Sequence, residues 1–558
     1  GGPHIMTALW SRRAQSLRIN RLVALFAALT LTGCSKSDSS KESAQNREPS
    51  PGGTFHIALE TLDNLDPAFA DDAYEATFIT QVFSGLLRAD ADLNVLPDVA
   101  HAWTISPDGL TYVFELRNDA RFHHGRLITA QDFIYSFTRL LDARRVPPGI
   151  IQDYLIIVEG ATDFIAGRAD HVRGFSAPDP HTLVIRLAKP YPSFLSVLCM
   201  DQAKVIPEEE INRRGPEAFS QDPVGSGPFR FVKRNTEGNW ILVANRDYFG
   251  TPAFLDSVII HPLSHDGGVA QRKDFLAGKL DVMPLRQSEV SELLQHASFP
   301  IIRRLELAME FIGLNCAKPP MKDLRVRQAL SLALDRRAVE AAAGPGFLRP
   351  AGILPPGMPG YTPEPKILPE DAARARALLA EAGYGPHHPL RFTFYATARS
   401  REGMARDSVI VASWAKVGIR AERKVVNWSE LNKAIEGGTA PAFVITWIGD
   451  LPDPDTFLFT LLASDGMFNM VSFRNAGLDS LLAHGRSETN MEHRLDWYRK
   501  AERHVLAEAP IIPLFNVMTA YAFQPDVVGV EMSPYGICSV PLRKVWFNKD
   551  AEGTYARF

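Results

Sequence analysis

Cysteine is scarce: four in 558 residues, at positions 34, 199, 316 and 538, and no two are close enough to form a C-x-x-C pair. That spacing excludes a zinc ribbon, a thioredoxin-type redox centre and a small disulfide-built scaffold. The sequence also lacks H-E-x-x-H, G-x-x-x-x-G-K-[ST], G-x-S-x-G and G-x-G-x-x-G, the templates of zinc peptidases, P-loop enzymes, α/β-hydrolases and dinucleotide-binding enzymes. No repeat of 20 to 50 residues appears, which argues against solenoids and propellers. Positive charge is not in excess, with 60 basic against 64 acidic residues. A mildly acidic body lacks the field that phosphate backbones need, so no nucleic-acid partner is expected. What remains is an ordinary globular composition, 46% hydrophobic and 22% charged. Its length suggests about three or four compact units.

Residues 1–5, ahead of Met6, read as a cloning remnant or a natural extension. Arg12, Arg13, Arg18 and Arg21 follow with no acid among them, and then the apolar run Leu22-Val23-Ala24-Leu25-Phe26-Ala27-Ala28-Leu29-Thr30-Leu31. Ten helical residues rise about 15 Å, half of a bilayer core of about 30 Å, so the run fits a secretory signal and not a membrane span. Leu31-Thr32-Gly33-Cys34 resembles a bacterial lipobox, which makes Cys34 the expected site of lipidation and the first mature residue. Residues 35–52 are Ser, Lys, Asp, Glu, Asn and Pro in the main and form an expected flexible tether. An exported compartment allows one disulfide among Cys199, Cys316 and Cys538; buried free thiols are the alternative.

In the body, strand and helix signals alternate, which indicates an α/β architecture. Tyr112-Val113-Phe114-Glu115-Leu116 and Thr182-Leu183-Val184-Ile185-Arg186-Leu187 place every second apolar residue on one face, as half-buried strands do. Val326, Ala329, Leu330, Ala333 and Leu334 follow helical spacing behind Asp323, a suitable N-cap. Residues 371–382 repeat that logic, with Ala375, Leu378, Leu379 and Ala382 on one face and Gly383 at the stop. Residues 343–369, rich in Gly and Pro, predict a long ordered connection.

Few polar groups suggest chemistry. Gly225-Ser226-Gly227-Pro228-Phe229 carries a proline that blocks a nucleophile elbow, so it reads as a tight turn. His123-His124 and His387-His388 have no third ligand at metal spacing and read as surface-loop histidines. Asp450, Asp453 and Asp455 fit neither a calcium loop nor a glycosidase pair. Turn formation and helix capping account for Asp453 and Asp455. Asp450 follows an apolar strand and Trp447, a position from which a carboxylate can hold a cation in a cleft.

In order along the chain stand Leu65-Asp66-Pro67-Ala68, Phe83-Ser84-Gly85-Leu86-Leu87, Pro97-Asp98-Val99-Ala100 with Trp103, Ser106-Pro107-Asp108-Gly109, Phe122-His123-His124-Gly125 and Thr129-Ala130-Gln131-Asp132-Phe133. After them come residues 225–229, Arg325-Val326-Arg327-Gln328-Ala329-Leu330, Glu381-Ala382-Gly383-Tyr384 and residues 450–457. This succession resembles the oligopeptide/dipeptide class of extracytoplasmic solute-binding proteins of ABC importers, bacterial solute-binding protein family 5. The resemblance implies an α/β, two-lobed clamshell of the periplasmic-binding-protein type II kind with an additional inserted N-terminal domain. The implied parts are lobe I (53–83, 190–311 and 519–558), the inserted domain (84–189) and lobe II (312–518). It further implies a non-enzymatic receptor, monomeric and free of metal and cofactor, lipid-anchored in the periplasm or at the cell surface. Such a receptor delivers peptides to permease subunits backed by a cytoplasmic ATPase. By that resemblance Asp450 anchors the peptide's α-amine; Ile445, Thr446 and Trp447 form one wall; and Phe69 and Ala70 form the other. Arg399, Arg401 and Arg406 are candidates for the carboxylate end. A nickel chelate, haem, opine or sugar as ligand stays open, although the acid at Asp450 argues against nickel, as does a secreted hydrolase.

Overall fold

The computed structural model describes residues 48–549 apart from 61, 71–72, 148, 264–267, 286–288, 291–298, 345, 365 and 398–400. The expected leader with Cys34, most of the tether and Arg399 lie outside the described residues. Among the described residues no helix is long and apolar enough to cross a membrane. Cys199, Cys316 and Cys538 are free thiols.

Three larger sheets, each with its packed core, organise the described residues. In the first, Thr54–Leu59 pairs in parallel with Ser257–Pro262, and Trp240–Ala244 and Phe229–Arg234 extend the sheet antiparallel. Phe55, Ile57, Leu242, Val258 and Ile260 fill its core, the buried residues of alternating strands. Gly225 and Gly227 sit there because of close approach: a Cβ would meet Val82 O at 2.0 Å and Gln81 O at 2.5 Å. His123 is held by the same turn, its Nε2 3.1 Å from Gly227 O. Burial pushes its pKa down to about 4, so it is a neutral structural histidine and not a surface one.

The second body is the four-stranded antiparallel sheet Ala100–Ile105, Thr111–Leu116, Thr182–Arg186 and Phe175–Asp179. The two strands predicted from alternation pair directly, Tyr112 with Ile185 and Phe114 with Leu183. Its core runs past residue 189: Tyr191, Phe194, Val197 and Val205 belong to it, and Phe194 meets Tyr112 edge-on at 5.1 Å. The reason is local, since the chain leaving the strand folds straight back as the short helix Phe194–Val197 onto the same sheet.

The third sheet orders Val282–Pro284, Ile511–Phe523, Ile301–Leu314, Ala442–Ile448, Arg391–Ala396 and Arg420–Val425. Helix Leu324–Leu332 is capped by Asp323, which accepts the Arg325 N–H at 2.9 Å. Helix Ala372–Glu381 is capped by Asp371 and ends before Gly383, whose φ of +88° supplies the left-handed stop. The Gly/Pro-rich connection is pinned by Glu502, which accepts the Ile353 and Leu354 N–H groups and pairs with Lys366 at 3.1 Å. Two long strands, Ile301–Leu314 and Ile511–Phe523, pass from the first body's core into the third. Their register slips between Leu305 and Met309, where Glu306 sits without an ion pair among the described residues. Burial lifts its carboxyl to about 7.

Candidate ligand-binding site

Strand Ala442–Ile448 pairs along its whole length with Ile301–Leu314. On its other side Arg391–Ala396 contributes only two pairs, Phe394 with Ala442 and Tyr395 with Phe443. The remaining edge, residues 445–448, has no strand partner among the described residues, and an unpaired edge is a template for an added strand. Along it Ile445 is buried, Thr446 and Ile448 are exposed, and Trp447 is half-buried. The Trp447 ring lies 5.2 Å from that of Phe468 at a tilt of 51°, and its indole N–H donates to Thr456 O at 3.0 Å.

Immediately beyond this edge stands Asp450. Thr456 fixes it from two sides: its hydroxyl accepts the Asp450 N–H at 3.0 Å and donates to Oδ2 at 3.3 Å. No described cation pairs with this carboxylate. Burial raises its pKa to about 6, against the small opposing effect of the Thr456 hydrogen bond. Two phenols complete the surroundings. Tyr154 comes from the helix Ile150–Leu155 of the second body and Tyr535 from the C-terminal segment. Both hydroxyls are buried without a hydrogen-bond partner, and burial together with the Asp450 charge holds both pKa values well above the ordinary range. An unpaired carboxylate at the end of an open strand edge, within electrostatic reach of two buried phenols, is suited to a ligand ammonium. Replacing Thr456 by valine keeps the shape but frees Asp450; we expect affinity to fall by about 1 kcal/mol in calorimetry, the usual worth of one such hydrogen bond.

Asp453 and Asp455 do more than cap a turn. Asp453 does accept the Asp455 N–H at 2.9 Å, but its carboxylate also takes two Arg494 bonds at 2.8 Å each. Asp455 accepts from Tyr191 at 3.1 Å and Tyr498 at 2.9 Å and pairs with Arg486 at 3.1 Å.

The other expected site residues divide. Phe69 closes the turn Pro67–Phe69, capped by Asp66, which a buried Arg139 holds at 2.5 Å; the guanidinium lies 5.8 Å from the Phe69 ring. Ala70 is buried and its carbonyl accepts Gln202 Nε2 at 2.6 Å. Arg401 is exposed at the start of the helix Arg401–Ala415. Arg406 is buried between Glu310 and Asp407, with the Asp407 contact at 2.7 Å. Thr446 reaches the same cluster, its hydroxyl 3.5 Å from Glu310. A guanidinium already flanked by two carboxylates has little charge to offer a third. Tyr154, Tyr535 and Thr456 were missed in the sequence; only Thr456 carried a signal, six residues after Asp450 within the same motif.

Residues 94–469 match the model of the bacterial extracellular solute-binding proteins, family 5. The heme-binding protein A of Haemophilus influenzae is 30% identical, over 91% of this chain and 96% of its own. The periplasmic murein peptide-binding protein MppA of Escherichia coli is 29% identical, over 86% and 90%. The solved structure of the E. coli murein tripeptide-binding protein MppA superposes with a TM-score of 0.76 at 27% identity, over 89% of this chain and 98% of that one. Fold, motif order and these likenesses agree, and the chain belongs to family 5 of the bacterial extracellular solute-binding proteins.

Proposed function

We propose that the protein is a receptor that captures peptides and hands them to an ABC importer. The observation that carries this reading is the unpaired Asp450 carboxylate beside an open strand edge. An ammonium and an extended backbone are what all peptides share, so a receptor using them accepts many side chains. Murein peptide binding by MppA, as its name states, supports the same class. The test is incubation with a peptide mixture followed by native mass spectrometry. Intact bound peptides are expected; cleaved products would indicate a hydrolase, and recovery of neither would remove the peptide reading.

The relative named for heme binding makes haem the principal alternative. Haem presents propionate carboxylates, which an anionic Asp450 repels. We expect titration of the protein with haem to leave its Soret absorbance unshifted; a saturable shift at one equivalent would favour haem over peptide. For the membrane tether, the Arg-rich start, the apolar run and Leu31-Thr32-Gly33-Cys34 support lipidation at Cys34. The Cys34→Ser variant should lose radiolabelled palmitate incorporation in a bacterial host.

A further inference from the structure

A second carboxylate, on the long strand that joins the first body to the third, also lacks a cation. Resting on the peptide reading above, we infer that Glu306 is a specificity-determining residue and that the ligands it favours are peptides with a lysine or arginine among their first two residues. The backbone fixes its place. The Leu307 carbonyl accepts the Gly449 N–H at 2.8 Å, and the Leu307 N–H donates to Pro534 O at 3.3 Å. One step beyond the first of these bonds Glu306 and Asp450 come level on neighbouring strands, which lie about 4.8 Å apart. From there the two carboxylates diverge. Asp450 turns to Thr456 and lies within electrostatic reach of the Tyr535 phenol, whereas Glu306 is steadied by the Thr519 hydroxyl and acts on Tyr521. One turn serves both, the turn in which the Gly536 N–H donates to Ser533 O at 3.0 Å. It carries Tyr535 for Asp450, and at Gly536 a Cβ would lie 3.4 Å from both Glu306 Oε1 and Tyr521 Oη.

Positive charge nearby in the chain is committed elsewhere. Arg304 Nη2 bonds Ala91 O at 3.0 Å and Asp92 at 3.3 Å. Glu310, four residues further along the same strand, shows how an acid is held for structure alone: Arg406 pairs with it. Glu306 has no such partner among the described residues. It is half-buried, and burial lifts its carboxyl to about 7. An acid kept at that cost is stabilised by a cation that arrives with the ligand. Lysine and arginine carry their charge on a long apolar stem, so a side chain near an amine anchored at Asp450 can bring its tip to Glu306. A short or neutral side chain leaves Glu306 partly desolvated and unpaired.

The test uses the full chain at about pH 8, above the range in which Glu306 titrates. Calorimetry compares the tripeptides Lys-Ala-Ala, Ala-Lys-Ala and Ala-Ala-Ala, and repeats the first two with acetylated lysine, which keeps the stem and removes the charge. We expect a basic tripeptide to bind about tenfold tighter than both Ala-Ala-Ala and its own acetylated form. Glu306→Gln should abolish that gap while binding Ala-Ala-Ala as the parent does. Equal affinity of the parent for basic and neutral peptides, or a gap that survives in Glu306→Gln, would overturn the role of Glu306 while leaving the peptide reading standing. Binding of none of these peptides would overturn both.

Discussion

Replacing Asp450 by asparagine is expected to weaken peptide binding by about 2 to 5 kcal/mol, the cost of leaving a desolvated charge without its partner. Calorimetry measures the loss, and an unchanged affinity would remove Asp450 from the site. The pH dependence gives an independent reading. Burial raises the empty protein's Asp450 to about 6, so below that pH the carboxyl is protonated and an incoming ammonium must displace the proton. Affinity should therefore fall by up to tenfold per pH unit as pH drops below about 6, and the Asn variant should lose this slope. Any dependence surviving near pH 7 would point to Glu306, which titrates there. Folding stability runs the other way. A carboxyl whose folded pKa exceeds its unfolded value holds more protons when folded, so in the empty protein this group's contribution declines as pH rises from about 4 to 6. The Asn variant should thus melt higher than the parent at pH 7 while binding worse, a trade-off expected of a site kept charged for its ligand.

Much of this architecture was legible in the sequence because periodicity and capping are local properties. Tyr112, Phe114, Leu183 and Ile185 declared their strands by alternation, and Asp323 stands at the cap where it was expected. Asp450 stood out in the sequence because an acid directly after an apolar strand has few structural uses; its ligand role is a proposal. Groups whose meaning depends on distant partners were not legible. Tyr154 lies about 300 residues before Asp450 in the chain, and nothing near it in sequence marks its hydroxyl as unpartnered. Arg406 shows how distant pairing bears on a local reading: strand pairing brings Glu310 opposite Thr446, and that acid and Asp407 flank the guanidinium. The inserted domain that the resemblance implies, 84–189, has apolar neighbours beyond its end, since residues up to Val205 pack onto the same sheet.

Substituting Arg494 by methionine is expected to cost the fold about 3 to 5 kcal/mol, because it strands the buried Asp453 carboxylate without its cation. Both partners are buried, Arg494 at 0% and Asp453 at 5% exposure. Burial opposes the Arg494 charge, but Asp453, the Tyr498 phenol and Asp455 together hold its pKa above the ordinary value. Ser193, from the second body, joins the pair by donating to Asp453, and Arg494 Nη2 lies 3.3 Å from its hydroxyl. Tyr191, from that same body, donates to Asp455. The network therefore ties the second body to the third, and urea unfolding of the variant should show an earlier midpoint with the second body's transition separating from the rest. Replacing both partners, Asp453→Leu with Arg494→Met, should recover most of the loss, since an apolar pair of similar volume removes the stranded charge; failure to recover would assign the cost to lost packing instead. Because Leu451 is buried in the second body's core, residues 450–453 are clamped from both sides. The single variant should accordingly also bind peptide more weakly while keeping the pH slope of the parent, which separates loss of position at Asp450 from loss of its charge.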